Sequence, residues 1–129
     1  MKSAAEDIKD KITGTLGLVF ATNLFVGIEP NTPDICTTVF DVSGGDNTLD
    51  LDGNNAYEYP AVQIRLRGLS YTSVYTLGKS IETALNGLHG VTINGTVYTA
   101  ILVKLPTTLL DYDNENRVRF IINLTIQRR

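Results

Sequence analysis

Asn94-Gly95 constrains this chain more than any other pair of residues in it. The pair lies between Val91-Thr92-Ile93 and Thr96-Val97-Tyr98. Asn-Gly is favoured in two-residue type I′ turns because both central residues must take positive φ. The flanks are β-branched and aromatic, so the sequence predicts a hairpin whose second arm continues through Ile101, Leu102 and Val103. Further on, Phe120, Ile122, Leu124 and Ile126 alternate with Arg119, Ile121, Asn123, Thr125 and Gln127, the period of a strand with one face in a core. Ile121 breaks the polarity of the outer positions, which implies cover at that point. Val62, Ile64 and Leu66 alternate with Gln63, Arg65 and Arg67 in the same way. A polar turn, Asp111 to Arg117, precedes the last strand.

Two helices fit around these strands. From Ser3 to Thr15, Ala5, Ile8, Ile12 and Leu16 share one side, Ser3 can cap, and Glu6 and Asp7 suit the positive end of the dipole. Ser70 can cap a second helix with the stripe Val74, Leu77, Ile81, Leu85 and Leu88, ended by Asn86-Gly87. Leu24 to Ile28 is a short strand stopped by the prolines of Glu29 to Asp34, and Ile35 to Val42 is another. Residues 43–58 are rich in Gly, Asp and Asn without periodicity and read as a long mobile loop. The expectation is one α+β domain over 1–129, mainly antiparallel β-sheet with two α-helices packed on one face.

Composition narrows the function. With 11 basic and 14 acidic residues of 129, the net charge of −3 disfavours sequence-independent DNA binding through a broad basic face. Only 19% of residues are charged, which implies a generous core or surface buried against another subunit. One cysteine, Cys36, and one histidine, His89, exclude an internal disulfide and a Cys/His zinc site within a single chain. The apolar stretch Leu16 to Ile28 is too short to span a bilayer. Acidic Glu6, Asp7 and Asp10 precede it, so a soluble chain that is not exported is expected, with no membrane partner.

Asp41, Asp46, Asp50, Asp52 and Glu58, then Asp111, Asp113 and Glu115, concentrate the carboxylates. Placing Gly53 at the sixth position of a calcium loop puts Thr48 first and Tyr59 twelfth, so two ligands fail. Acid–base work would need one carboxyl in a dry pocket, and these lie in Gly/Asn-rich segments open to water. Cys36 among Thr and Val reads as a buried thiol, and His89 as an exposed residue after a helix. No catalytic residue, metal or cofactor is assigned. Arg65 and Arg67 are expected on the polar face of their strand, either solvated or paired with carboxylates of a neighbouring copy.

Several segments in order resemble one family. Pro33-Asp34-Ile35-Cys36 and Gly44-Gly45, then Tyr59-Pro60-Ala61-Val62-Gln63-Ile64-Arg65-Leu66-Arg67-Gly68, are similar to the opening and the following strand of phage minor capsid or tail terminator proteins. The helix Tyr71 to Leu88, with Gly87-Leu88-His89, and the closing Asp113-Asn114-Glu115-Asn116-Arg117 fit the same pattern. Asn116 stands where that family often has Gly, and the segment Asp50 to Asn55 is longer. The resemblance implies a non-enzymatic virion subunit at the tail–neck junction, made in the bacterial host cytoplasm. It implies a homo-oligomeric ring, usually hexameric, that caps the tail tube, stops its polymerisation and docks to the head connector. The implied partners are further copies of the chain, the tail tube protein and head connector or neck proteins, with genomic DNA passing through without specific binding. On that reading the subunit-interface candidates are Arg65, Arg67, Asp46, Asp50, Asp52, Glu58, Asp113, Glu115 and Ile121, with the acidic stretch Asp46 to Glu58 facing the arginines. A head-completion or neck ring protein, a small carboxylate-dependent hydrolase and a monomeric ligand-binding domain are the alternatives.

Overall fold

The computed structural model describes residues 1–49 and 56–129. Along the chain come α1 (Ala4–Ile12), β1 (Leu24–Val26), β2 (Cys36–Leu49), β3 (Ala56–Gly68), α2 (Tyr71–Leu85), β4 (Val91–Ile93), β5 (Thr96–Tyr112) and β6 (Val118–Arg128). The strands form one sheet in the order β1-β2-β3-β6-β5-β4. β1 runs parallel to β2, and the other pairings are antiparallel.

Local chemistry sets the element ends. The Ser3 hydroxyl accepts from the Glu6 N–H while the Glu6 carboxylate accepts from the Ser3 N–H, which satisfies donors that an α-helix start leaves open. α1 stops at Ile12 rather than Thr15, and Gly14, Leu16 and Gly17 follow with φ of 79°, 56° and 75°, so Leu16 leaves the expected stripe and is exposed. Asn94 and Gly95 take φ of 50° and 80°, as the expected turn requires.

Val62, Ile64 and Leu66 of β3 and Phe120, Ile122, Leu124 and Ile126 of β6 are all buried on one side of the sheet. α1 brings Ala4, Ala5, Ile8 and Ile12 to that side, and α2 brings Val74, Ile81 and Leu85, completing one cluster. Each fully buried aliphatic side chain contributes about 2 kcal/mol relative to exposure. The architecture is α+β, with both helices on one sheet face.

The structure corrects the reading of 43–49 and 56–58 as loop. β2 continues to Leu49, β3 begins at Ala56, and Gly45↔Tyr59, Thr48↔Tyr57 and Leu49↔Ala56 are paired. Register shifts between Val42 and Gly45 and between Gly45 and Thr48 destroy the alternation that would have announced a strand. At the first shift, a Cβ on Gly44 would lie 2.0 Å from the Tyr59 carbonyl oxygen, so glycine is required there. Asp50 to Asn55 lie outside the described residues. β5 likewise outruns its expected end at Val103, passing several register shifts and Pro106 to reach Tyr112.

Candidate functional site

Period-2 alternation sends Arg65, Gln63 and Ala61 of β3 to the sheet face away from the helices, together with Ile121, Asn123 and Thr125 of β6. Arg65 lies directly opposite Ile121, and both are half-buried. Arg65 Nε donates to Gln63 Oε1 at 2.9 Å, and its guanidinium stands 5.0 Å from the centre of the Phe40 ring. Gln63 Nε2 donates to Asn123 Oδ1 at 3.1 Å, so polar side chains link β3 to β6 in the middle of this face. Towards the β2–β3 arm the face opens into a groove of about 930 Å³, lined by Val42, Pro60, Ala61, Lys104, Leu105 and Thr125 among others. Lys104 is exposed. Among the described residues, no ion pair includes Arg65 or Lys104.

At one end, the segment 29–34, which carries a cis Thr32–Pro33 bond, is held by three arginines. Arg67 is only 4% exposed; it donates to Glu29 Oε1 at 3.1 Å and to the carbonyls of Pro33 and Asp34 at 2.7 and 3.3 Å. Arg117 donates to the Asn31 carbonyl at 2.6 Å and to Asp113 Oδ2 at 2.7 Å, and Arg119 grips Asp111 with two bonds of 2.6 Å. The Arg119 guanidinium holds the Asp111 carboxyl below the usual range, and Arg65 adds to the effect. Burial alone would raise Asp113, but bonds from the Arg117 backbone and side chain and from the Glu115 N–H bring it lower.

At the other end, Glu58 accepts from Arg128 Nε at 2.9 Å. Arg128 also donates to the Tyr98 hydroxyl, which itself donates to the buried Asp7 carboxylate. Asn94 Nδ2 reaches Asp7 Oδ1 and Asp10 Oδ2, both at 2.8 Å, so the hairpin turn is tied to α1. Burial and then the Asp7 bond push the Tyr98 phenol well above its ordinary range.

The candidate residues therefore separate into three places. Arg65 and Ile121 meet on the open face. Arg67 was expected on that polar face but is enclosed by its own chain, because the 29–34 segment covers the sheet at that level. Glu58 and Asp113, expected to face outward, are engaged by Arg128 and Arg117 of the same chain. Glu115 is exposed, 3.6 Å from Arg117 Nη1. Asp50 and Asp52 lie outside the described residues, as does the side chain of Asp46.

Cys36 is buried, and burial pushes its thiol up, away from a nucleophilic thiolate. His89 is exposed after α2, with Nδ1 3.2 Å from the Gly87 carbonyl. Among the described residues no cluster of His, Cys, Asp or Glu is arranged to hold a metal ion. No described helix is long and apolar enough to cross a membrane.

A feature that sequence reasoning missed is the rim between α2 and β5. Of the fifteen residues of α2 only Lys79 and Glu82 are charged. Glu82 accepts from the Thr107 N–H at 3.0 Å and from the Thr107 hydroxyl, and Asn86 Oδ1 accepts from the Val103 N–H at 2.9 Å. These side chains satisfy donors on the β5 edge that no described strand reaches. Beyond Thr107, Leu109, Leu110 and Tyr112 are exposed. Tyr71 and Tyr75, also exposed, stack edge-on against Phe120 with centroids 5.0 and 5.8 Å away, beside its cross-strand partner Leu109. No sequence periodicity marks this patch, because its members come from two elements.

A family model described as "Bacteriophage tail terminator protein" matches residues 5–129. Among solved structures, a chain of the "Virion of native gene transfer agent (GTA) particle" is similar with a TM-score of 0.61 and 10% identity, covering 83% of this chain and 78% of that one. At that identity the likeness is one of fold. No curated protein matches the chain in sequence.

Proposed function

The chain belongs to the bacteriophage tail terminator proteins, structural components of the virion, and from that premise we propose that copies of it close into a ring on the end of the tail tube. In this reading the whole of 1–129 is one domain, the ring is hexameric, and it sits at the tail–neck junction. It stops addition of tube subunits and offers its other side to head connector or neck proteins. The chain is made in the host cytoplasm and performs no catalysis. DNA crosses the ring without being held, which suits a subunit of net charge −3.

The match over 5–129 carries this conclusion. The surface supports it physically. A closed ring needs a heterologous contact, with two different patches on each subunit. The Tyr-rich, charge-poor rim of α2 and β5 is one such patch, because exposed aromatic clusters favour interfaces. The open face with Arg65 and Ile121 is a second, facing the acidic stretch 46–58 of the next copy. Purified chain added to growing tail tubes, followed by electron microscopy and light scattering, tests the proposal. The expected result is tubes of arrested length with a ring at one end; tubes that lengthen unchanged would remove it.

A further inference from the structure

We propose that residues 29–34 form a strap that swings off the sheet as a unit, while the rest of the fold stays intact, and so gates Arg67. Closed, the strap hides Arg67; open, it presents Arg67 beside Arg65 on the face away from the helices. A single, unassembled chain suffices for the motion. The strap is fixed by polar contacts. No residue from Gly27 to Ile35 belongs to the apolar core cluster, and Ile28 and Ile35 at its two ends are exposed. Arg67 holds Glu29 and the carbonyls of Pro33 and Asp34, Arg117 holds Asn31 and Asp34, and Arg119 stands 3.6 Å from Glu29. Opening therefore exposes little apolar surface, the term that makes release of a core element costly.

The buried charges resist opening less than they resist substitution. Removing Arg67 would leave Glu29 enclosed, whereas opening returns both partners to water and restores their hydration. Glu29 Oε2, buried without a donor among the described residues, gains hydrogen bonds in the process. The catch stays built after the strap has left, because Arg117 keeps Asp113 and Arg119 keeps Asp111. The strap can therefore close again on the same groups.

Its ends are set by the backbone. The Gly27 N–H donates to the Val39 carbonyl at 3.0 Å, the last bond that joins this segment to β2, and Gly27 then turns the chain with φ of 79°. The ladder resumes at Cys36. Between these points Pro30 and Pro33 restrict the chain, so it moves as one piece rather than unravelling residue by residue.

Cys36 reports the motion. It is the one cysteine of the chain, lies directly opposite Arg67 across β2 and β3, and is buried. Labelling of the native chain with Ellman's reagent, repeated over a range of urea concentrations, reads how often the strap is open. For an open form of about 0.1–1% of molecules, the rate should lie roughly 100- to 1000-fold below that of the urea-unfolded chain. Below the unfolding transition it should change little with urea, because little surface is exposed. Glu29→Gln removes both ion pairs of Glu29 at nearly constant size, and should raise the rate at low urea by about tenfold or more. Ile81→Val, in the core on the helix side of the sheet, should lower the urea midpoint yet leave that rate unchanged. Labelling that climbs with the full urea dependence of unfolding, or that Ile81→Val accelerates in step with its loss of stability, means that Cys36 is reached by global unfolding and overturns the gate. A rate that Glu29→Gln leaves unchanged means that β2 frays without the strap, and overturns it as well.

Discussion

Arg65 and Arg67 stand two residues apart on β3 and point to the same side of the sheet, yet they are different kinds of residue. Arg67 is buried against Glu29, with two further bonds to the backbone of the 29–34 segment. Replacing it by methionine keeps much of the apolar volume but leaves Glu29 facing only Arg119, at 3.6 Å. Breaking one side of a buried pair costs about 3 kcal/mol, so the melting temperature of Arg67→Met should fall by roughly 10 °C. Arg65→Met loses one hydrogen bond and a contact with the Phe40 ring on a half-open face, and should cost less than about 1 kcal/mol. Urea titrations of both variants check the contrast. Equal losses would show that the segment over Arg67 adds nothing. The alternation of β3 announced both side chains on one face, but it carried no sign of the cover, which arrives from a segment more than thirty residues earlier through the sheet order.

At the scale of elements, what was legible is what touches the core. The stripes of α1 and α2 and the even positions of β3 and β6 obey simple periods because each buries one face against a common cluster. The β2–β3 arm and the far half of β5 leave that cluster, and their bulges break the period, so periodicity alone ends both strands too early. Of the candidate site, Arg65 and Ile121 were legible as a pair of face positions; Lys104, Glu82 and Asn86 were not, since a single polar residue beside a bulge has no pattern around it. Two glycines test these geometries. A Cβ on Gly78 would come within 2.5 Å of Thr107 Cγ2 and 2.8 Å of its Oγ1. Thr107 cannot swing aside without losing its bonds to Glu82. Gly78→Ala should therefore destabilise by about 1–2 kcal/mol, although alanine is the better helix former by about 1 kcal/mol. A gain in the urea midpoint would mean that α2 shifts freely on β5. Gly44→Ala, which meets the Tyr59 carbonyl, should leave the midpoint nearly unchanged while faster amide exchange appears over 42–49 and 57–61, because the arm lies outside the core.

The whole molecule draws part of its stability from carboxylates held ionised in the fold, and this fixes how it responds to acid. Bonds from Lys9 and Lys2 hold Asp10 far below its ordinary range, and Arg119 does the same to Asp111 to a smaller degree. Burial alone would raise Glu82 and Asp113, but the Thr107 bonds lower the first and the Arg117 bonds the second. The unfolded chain, with carboxyls titrating at about pH 4, binds these protons before the native state does. Stability from the four groups is therefore complete above the unfolded value and declines as pH drops through the native ones. Asp10 and Asp111 are open enough to water for salt to screen them, so the decline should shrink at high ionic strength. Urea midpoints measured from pH 7 to pH 2.5 should be flat down to about pH 5 and fall below about pH 4. The fall should be smaller in a chain carrying Asp10→Asn and Asp111→Asn. A loss that began between pH 7 and pH 5, or that the two substitutions did not reduce, would place the acid sensitivity on other groups. It would also separate α1, which Asp10 ties to the hairpin turn through Asn94, from the acid response of the sheet.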